Sequence, residues 1–388
     1  MKMEALSIFL ALVSFITGAC IGSFLNVVIF RLPRDLSVNK PKRSFCPNCK
    51  YKIPSYFNIP LFSWLILKGK CKNCRAKVSG QYFLVELLTA ILFLIFWFIY
   101  GGDLQGNLYN TISLVLPGWL FIALIISASF IDFEHQIIPD KINLVGVLFG
   151  LIFSFIFPIF PSSFMGFDSN QLFGLSGDSH LVVSLHSIIG GIAGFLLIYF
   201  VVILGRIAFG SKVLSKNISG KWFIKEGVDN PILNYDNKDM GFEEIYFVGT
   251  EKLIFDTQEV VINGRKIKTD NLIIYYDRLI INGEEIKIKD WVSLEGDFSK
   301  ITYLREAMGF GDVKFMAMIG IFVGWQGVLF TLFMASIIGT ITSLPSKFIN
   351  RDSVLNRVPF GPFLSIGSLI WIFCGPELLK RYLLLIGS

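Results

Sequence analysis

Two aspartates stand where apolar stretches of the chain end or begin, and carboxylates at such positions can do chemistry. Asp132 ends a long apolar stretch, and Asp312 opens another in the run Gly309-Phe-Gly311-Asp312-Val-Lys314. A single acid at a helix end is usually an interfacial anchor. Two acids at one membrane level favour a dyad, in which an ionised carboxylate takes a proton from water and a protonated one polarises a carbonyl. That is the chemistry of an aspartic peptidase.

The residues around these acids fit either of two functions. Glycines in the Gly309 to Lys314 run allow a close approach of backbone and substrate, and Asp312 stands at the positive N-terminus of a predicted helix. Asp140, eight residues after Asp132, is expected to cap the following helix. Proton-coupled transporters also use carboxylates inside the membrane. The spacing alone therefore leaves a transporter open as the alternative.

Four of the six cysteines form two C-x2-C pairs, Cys46 with Cys49 and Cys71 with Cys74. Each pair can place two thiolates on one turn, and two such turns complete the four-sulfur shell that zinc favours. We predict a structural zinc site, because four cysteines leave no open coordination position. A redox dithiol is the alternative at this site. For the whole chain, a non-catalytic zinc-bearing assembly factor is a third possibility.

The composition indicates a membrane protein. Of 388 residues, 53% are hydrophobic and 16% are charged, against about 25% charged in an ordinary globular chain. Disordered and nucleic-acid-binding classes are thereby excluded. Eight stretches approach the roughly 20 apolar residues of a spanning helix. They are Leu6–Phe30, Tyr82–Tyr100, Ile112–Ile131, Ile142–Phe160, Val182–Phe209, Val313–Phe330, Leu332–Leu344 and Phe363–Cys374.

The charges between these stretches predict the orientation. Twelve Lys and Arg residues between positions 31 and 77 accompany one acid, Asp35, so this loop is expected in the cytoplasm. The loops around Asp103 and around Asp168 and Asp178 carry no Lys or Arg and are expected outside. This count places both termini outside, and both functional aspartates at the cytoplasmic edge.

A polar segment, 211–305, interrupts the apolar pattern. Two stretches of β-forming residues enclose Asn263-Gly264, and two more enclose Asn282-Gly283, which is the signal of a hairpin with a type I′ turn. We predict a small cytoplasmic β-rich domain that is tolerated or recruits substrate. The predicted organisation is a first transmembrane helix (1–30), a basic zinc-binding loop (31–81), helices two to five (82–210), the inserted domain (211–305), and the Gly-x-Gly-Asp motif with helices six to eight (306–388).

Taken together, the motifs resemble those of the type IV prepilin peptidases, which are membrane aspartic peptidases of the GxGD type. The resemblance rests on the paired cysteines and on five stretches: 22–33, 82–89, 132–140, 309–314 and 359–363. It implies removal of the leader peptide from type IV prepilins and pilin-like precursors of type II secretion, at the cytoplasmic face of a bacterial inner membrane. It maps the catalytic aspartates onto Asp132 and Asp312, with Gly309, Gly311, Lys314 and Asp140 in support.

The same resemblance implies a second activity. Many members with the cysteine-bearing loop methylate the new N-terminal amine with S-adenosylmethionine. No Gly-rich nucleotide loop is visible in the sequence, so the residues that bind this cofactor stay open. Glu86, early in the second apolar stretch, is expected to pair with a loop Lys or Arg, while a role in methyl transfer or in orienting the loop is the alternative. Gly18 and Gly22 have the spacing of a helix-packing motif.

Overall fold

The computed structural model describes residues 2–41, 44–101, 108–157, 180–209, 211–215, 220–225, 231–235, 238–242, 252–276, 278–287, 294–304, 308–349 and 359–386. The predicted outer loops around Asp103, Asp168 and Asp178 lie outside these residues. The chain divides into two compact units, with residues 198–310 in the second and most of the helical residues in the first.

In the described part of the chain, seven helices cover the eight predicted apolar stretches, and a short eighth helix lies in the predicted zinc-binding loop. Their bounds are α1 Lys2–Arg31, α2 Phe62–Ile66, α3 Gly80–Phe96 with a π-helical turn Trp97–Gly101, α4 Leu108–His135, α5 Asp140–Ile156, α6 His180–Phe209, α7 Phe310–Ile349 and α8 Gly361–Ile386. Six of these described helices are long and apolar enough to cross a membrane, with Phe310–Ser343 counted once. The predicted fourth stretch, Ile142–Phe160, corresponds to α5, which has 17 residues, and residues 158–160 lie outside the described part of the chain.

Helix α7 reverses its direction at Gly324, which has φ 71° and ψ 175°. A Cβ added to Gly320 would lie 3.0 Å from Cγ2 of Val328, whereas residues eight apart in a continuous helix are about 12 Å apart. We call residues 310–323 the first arm and residues 325–349 the second arm. The predicted boundary between the sixth and seventh helices, at Thr331, is therefore wrong.

Small residues bring α1 and α3 together, as their spacing predicts. A Cβ on Gly18 would lie 2.7 Å from Cα of Ala90, and one on Gly22 would lie 2.7 Å from Cα of Glu86. Both distances are too short for any side chain, so the two backbones are in direct contact. This contact places the start of α3 beside the end of α1.

The second unit contains a larger β structure than the small sheet that the sequence predicts. Two six-stranded antiparallel sheets have the strand orders β1-β12-β5-β8-β9-β10 and β4-β3-β2-β11-β6-β7. The strands are β1 Ser211–Ser215, β2 Gly220–Lys225, β3 Ile232–Tyr235, β4 Lys238–Gly241, β5 Lys252–Asp256, β6 Glu259–Ile262, β7 Arg265–Lys268, β8 Asn271–Ile274, β9 Arg278–Ile281, β10 Glu284–Lys287, β11 Leu294–Phe298 and β12 Lys300–Leu304.

Both predicted hairpins are present, and their turns have the expected conformation. Asn263 and Gly264 have φ 48° and 78°, and Asn282 and Gly283 have φ 50° and 85°, as a type I′ turn requires. The two sheets share one apolar core. In that core the rings of Trp222 (β2) and Phe255 (β5) lie 4.5 Å apart and join the sheets.

Candidate functional site

The contacts of α7 determine which end of the bundle holds Asp312. Positions along α5 and along the first arm of α7 increase together, so these two segments run parallel. The contacting pairs are Asp140 with Lys314, Gly146 with Met318, and Gly150 with Phe322. Helix α4 is connected to α5 by residues 136–139 alone, so α4 and the first arm of α7 run in opposite directions. The C-terminal end of α4 and the N-terminal end of α7 therefore lie at the same end of the bundle.

An aromatic contact allows the depth of the two aspartates to be compared. The rings of Phe121 and Phe322 are 4.9 Å apart. Asp132 lies eleven residues after Phe121 and Asp312 ten residues before Phe322, and each interval is about 15 to 17 Å of helix. Because the helices run in opposite directions, both intervals lead from this contact to the same level.

Asp132 is held by the N-terminus of α8. Its side chain is buried, with 5% of its surface exposed, and its Oδ2 accepts a hydrogen bond of 2.8 Å from the backbone N–H of Gly361. A Cβ on Gly361 would lie 2.7 Å from that oxygen, so any side chain at this position would displace the carboxylate. In the sequence, Gly361 stands out only as part of the motif Pro-Phe-Gly-Pro, and no residue type there signals a bond to Asp132.

Asp312 lies in the first turn of α7, directly after Gly311. A Cβ on Gly311 would lie 3.4 Å from Cβ of Ile138, in the segment that follows α4. The start of α7 is thus packed against the chain that leaves Asp132. Gly309 precedes the first residue of α7.

Lys314 and Asp140 form an ion pair that ties α7 to α5. Nζ of Lys314 donates to both carboxylate oxygens of Asp140, at 2.7 and 2.8 Å. The expected capping role of Asp140 is wrong, because Pro139 occupies the N-cap position of α5 and no side chain caps it. The Asp140 carboxylate instead binds Lys314 of α7.

The four cysteines of the two C-x2-C pairs converge on one point. Their sulfur atoms all lie within 4.8 Å of one another, with Cys46 and Cys74 3.8 Å apart and Cys49 and Cys71 4.0 Å apart. A tetrahedral zinc site with bonds of about 2.3 Å has sulfur atoms about 3.8 Å apart, whereas a disulfide brings them to about 2.05 Å. The spacing fits a zinc shell and excludes disulfides among these four thiols.

Comparison with known proteins relates two parts of the chain to one family. Residues 16–100 match the model of the Bacterial Peptidase A24 N-terminal domain, and residues 279–344 match the model of the Type IV leader peptidase family. Both parts of the chain are thus similar to leader peptidases. No solved structure matches it.

The curated relatives of this chain carry closely similar names. A "Prepilin leader peptidase/N-methyltransferase" of Aeromonas salmonicida is 25% identical over 95% of this chain and 92% of that protein. One of Myxococcus xanthus is 39% identical over 36% of this chain and 39% of that protein. A "Type 4 prepilin-like proteins leader peptide-processing enzyme" of Escherichia coli is 41% identical over 35% of this chain and 53% of that protein.

The two cysteine turns have the same backbone geometry. In the first turn, the N–H of Cys46 donates to the carbonyl oxygen of Tyr51, and the N–H of Lys50 donates to that of Cys46. In the second turn, the N–H of Cys71 donates to the carbonyl oxygen of Ala76, and the N–H of Arg75 donates to that of Cys71. The residue after each pair has a positive φ, 57° and 59°. These turns direct both sulfur atoms of a pair to one side, as metal binding requires.

Hydrogen bonds to two of the four sulfur atoms, those of Cys49 and Cys71, favour the thiolate form that binds a metal, whereas the pKa of Cys46 is raised to about 11. The backbone N–H of Tyr51 lowers the pKa of Cys49 to about 6, and the backbone N–H of Cys74 lowers the pKa of Cys71. Each turn also reaches across to the other, since Asn48 Nδ2 donates to Cys74 Sγ and Asn73 Nδ2 donates to Cys49 Sγ, both at 3.7 Å. The donor set therefore fits zinc.

Two buried side chains hold the cysteine-bearing loop against the helices. Nη1 of Arg31 donates to three loop carbonyls, those of Ser37, Val38 and Pro41, at 2.8 to 3.1 Å. Oε2 of Glu86 accepts a hydrogen bond of 2.7 Å from the backbone N–H of Leu61. The preferred expectation for Glu86, an ion pair with a loop cation, is wrong for the described residues, whereas the alternative of orienting the loop is confirmed by this bond.

Proposed function

We propose that this chain is a membrane aspartic endopeptidase that removes the leader peptide of type IV prepilins and pilin-like precursors. The observation that carries the proposal is the meeting of three helix ends, with Asp132 on α4, Asp312 on α7 and Gly361 on α8. Two carboxyl groups at the same level of adjacent helices are what an aspartic mechanism needs.

The dyad works by dividing two tasks between two carboxyl groups. Two adjacent carboxyl groups do not both ionise, so one keeps a proton while the other is charged. The charged group takes a proton from water, which attacks the scissile carbonyl, and the protonated group donates a hydrogen bond to the carbonyl oxygen. Their titration belongs to the pair, and the Gly361 N–H fixes the orientation of the Asp132 carboxylate.

The position of the dyad at one end of the bundle suits the substrate class. In this proposal the apolar segment of a prepilin lies in the bilayer beside the helices and presents its leader junction at the membrane edge. The twelve cations of the basic loop between positions 31 and 77 support the proposal that this edge lies at the cytoplasmic face of a bacterial inner membrane. Zinc bound by the four cysteines supplies a rigid crosslink within the loop and takes no part in hydrolysis.

N-methylation of the new N-terminus is the second proposed activity. Relatives aligned over 92% of their own length are named peptidase and N-methyltransferase together, and the cysteine-bearing N-terminal domain of the family is matched in this chain. The methyl donor in this proposal is S-adenosylmethionine.

The test is leader removal from a purified prepilin by Asp132→Asn and Asp312→Asn. Each variant removes one ionisable group at nearly constant volume, so we expect cleavage to fall by at least about a hundredfold with zinc content unchanged. Asp35→Asn, an exposed acid in the loop, is the matched control and keeps its activity. Leader removal at the original rate by both dyad variants would contradict the proposal and leave the transporter as the better account of these carboxylates.

A further inference from the structure

A cavity of about 550 Å³ lies between the cysteine-bearing loop and the ends of α1 and α3. Ser23 and Asn26 of α1, Trp64 of α2 and Glu86 of α3 lie in its wall, together with residues of both cysteine turns. Its volume is that of a site for a ligand the size of a nucleoside conjugate. The peptidase mechanism makes no use of it.

Glu86 is a buried carboxylate in this wall. Only 8% of its surface is exposed, and its recorded hydrogen bonds are with the Leu61 N–H and the Ser23 side chain. None of the ion pairs found among the described residues includes Glu86. A carboxylate has about four acceptor sites, and these two bonds leave room for a cationic or protic ligand.

Trp64 supplies a second polar group that lacks a partner. Its Nε1–H is buried and has no hydrogen-bond acceptor in the described part of the chain. The indole lies against Gly69, where a Cβ would be 2.9 Å from the ring, so the close fit holds the ring in place. Buried donors are usually satisfied, and a ligand in the cavity would provide the acceptor.

The cavity reaches the neighbourhood of the dyad through α4. Glu134 lies in its wall, two residues after Asp132, and accepts a hydrogen bond of 3.5 Å from Nε2 of Gln81 at the start of α3. One turn of α4 thus carries a residue of each site, and the cavity and the dyad lie at the same end of the bundle.

We propose that this cavity is the methyl-transfer site, that it takes an S-adenosyl sulfonium donor, and that Glu86 faces the α-amino group of the cleaved substrate. This assignment rests on the second proposed activity. The amine lone pair forms the new N–CH3 bond while the S–CH3 bond breaks, and its electron pair stays on sulfur as a neutral thioether. The proton lost by nitrogen passes to Glu86 and then to water.

The experiment uses the full chain in nanodiscs with a prepilin and S-adenosylmethionine. Glu86→Gln keeps an oxygen for the Leu61 N–H but cannot accept a proton, so we expect methylation to fall by at least about a hundredfold while leader removal stays near the original rate. Product mass reports both steps. Glu377→Gln, an exposed acid of α8, is the matched control and keeps both activities.

A binding measurement tests the cavity independently of turnover. Calorimetric titration with S-adenosylmethionine is expected to show binding weakened about tenfold by Trp64→Phe, which keeps a ring and removes the N–H donor. Unchanged binding to this variant overturns the assignment of the cavity, and methylation at the original rate by Glu86→Gln overturns the role of Glu86. Loss of leader removal in Glu86→Gln also overturns it, in favour of a loop-positioning role. If the unsubstituted chain removes the leader but never methylates the product, the second activity itself is refuted and the peptidase proposal is unaffected.

Discussion

The contact between Gly361 and Asp132 makes a sharp prediction for Gly361→Ala. The added Cβ would lie 2.7 Å from Oδ2 and 3.1 Å from Cγ of Asp132. Ordinary contact begins at 3.4 Å, so the carboxylate has to move by about 0.7 Å. Since a misplacement of about 1 Å in a reacting group costs about a hundredfold in rate, we expect kcat for leader removal to fall between about tenfold and a hundredfold.

The other properties of this variant should change little. The substitution keeps the backbone N–H, and alanine is a better helix former than glycine, so the thermal midpoint and KM are expected to stay near the original values. Gly80→Ala is the matched control, because a Cβ there meets nothing within 4 Å. Steady-state cleavage of a prepilin measures kcat and KM separately. An unchanged kcat would refute the claim that Gly361 positions Asp132, and an equal loss in Gly80→Ala would refute the use of the contact distance.

Two further predictions concern the structure around the site. Cys71→Ser removes one of four thiolates, so metal analysis of this variant is expected to find far less than one zinc per chain. The original protein and the control Cys374→Ser are expected to hold roughly one zinc per chain. A folded, fully active chain without zinc would show that the metal is dispensable. Gly190→Ala places a Cβ against the Gly320 carbonyl oxygen, well inside ordinary contact distance. We expect this clash to destabilise the chain by about 1 to 3 kcal/mol. An unchanged thermal midpoint would contradict the contact between α6 and the first arm of α7.

Features encoded by a few adjacent residues could be predicted from the sequence. The Asn-Gly turns produced both hairpins because the residues themselves require the positive φ values of a type I′ turn. The C-x2-C pairs formed the four-sulfur cluster because the tight turn of each pair directs both of its sulfur atoms to the same side. Gly18 and Gly22 formed the close helix contact because small residues are what such a contact needs.

Features that depend on distant contacts could not be predicted. The bond from Gly361 to Asp132 joins residues 229 positions apart and uses a backbone donor, which leaves no trace in side-chain type. The Leu61 bond of Glu86 is of the same kind. The reversal at Gly324 was placed seven residues late because apolar residues continue on both sides of it, so hydropathy shows no boundary.

The central claim is that Asp132 and Asp312 act as one unit, and a double-mutant comparison tests it most directly. The measurement is kcat/KM for leader removal by Asp132→Asn, by Asp312→Asn and by the double variant. For a single dyad, each single variant loses about as much as the double variant, because either change removes the whole mechanism. A loss in the double variant equal to the product of the two single losses would show two independent roles and contradict the account.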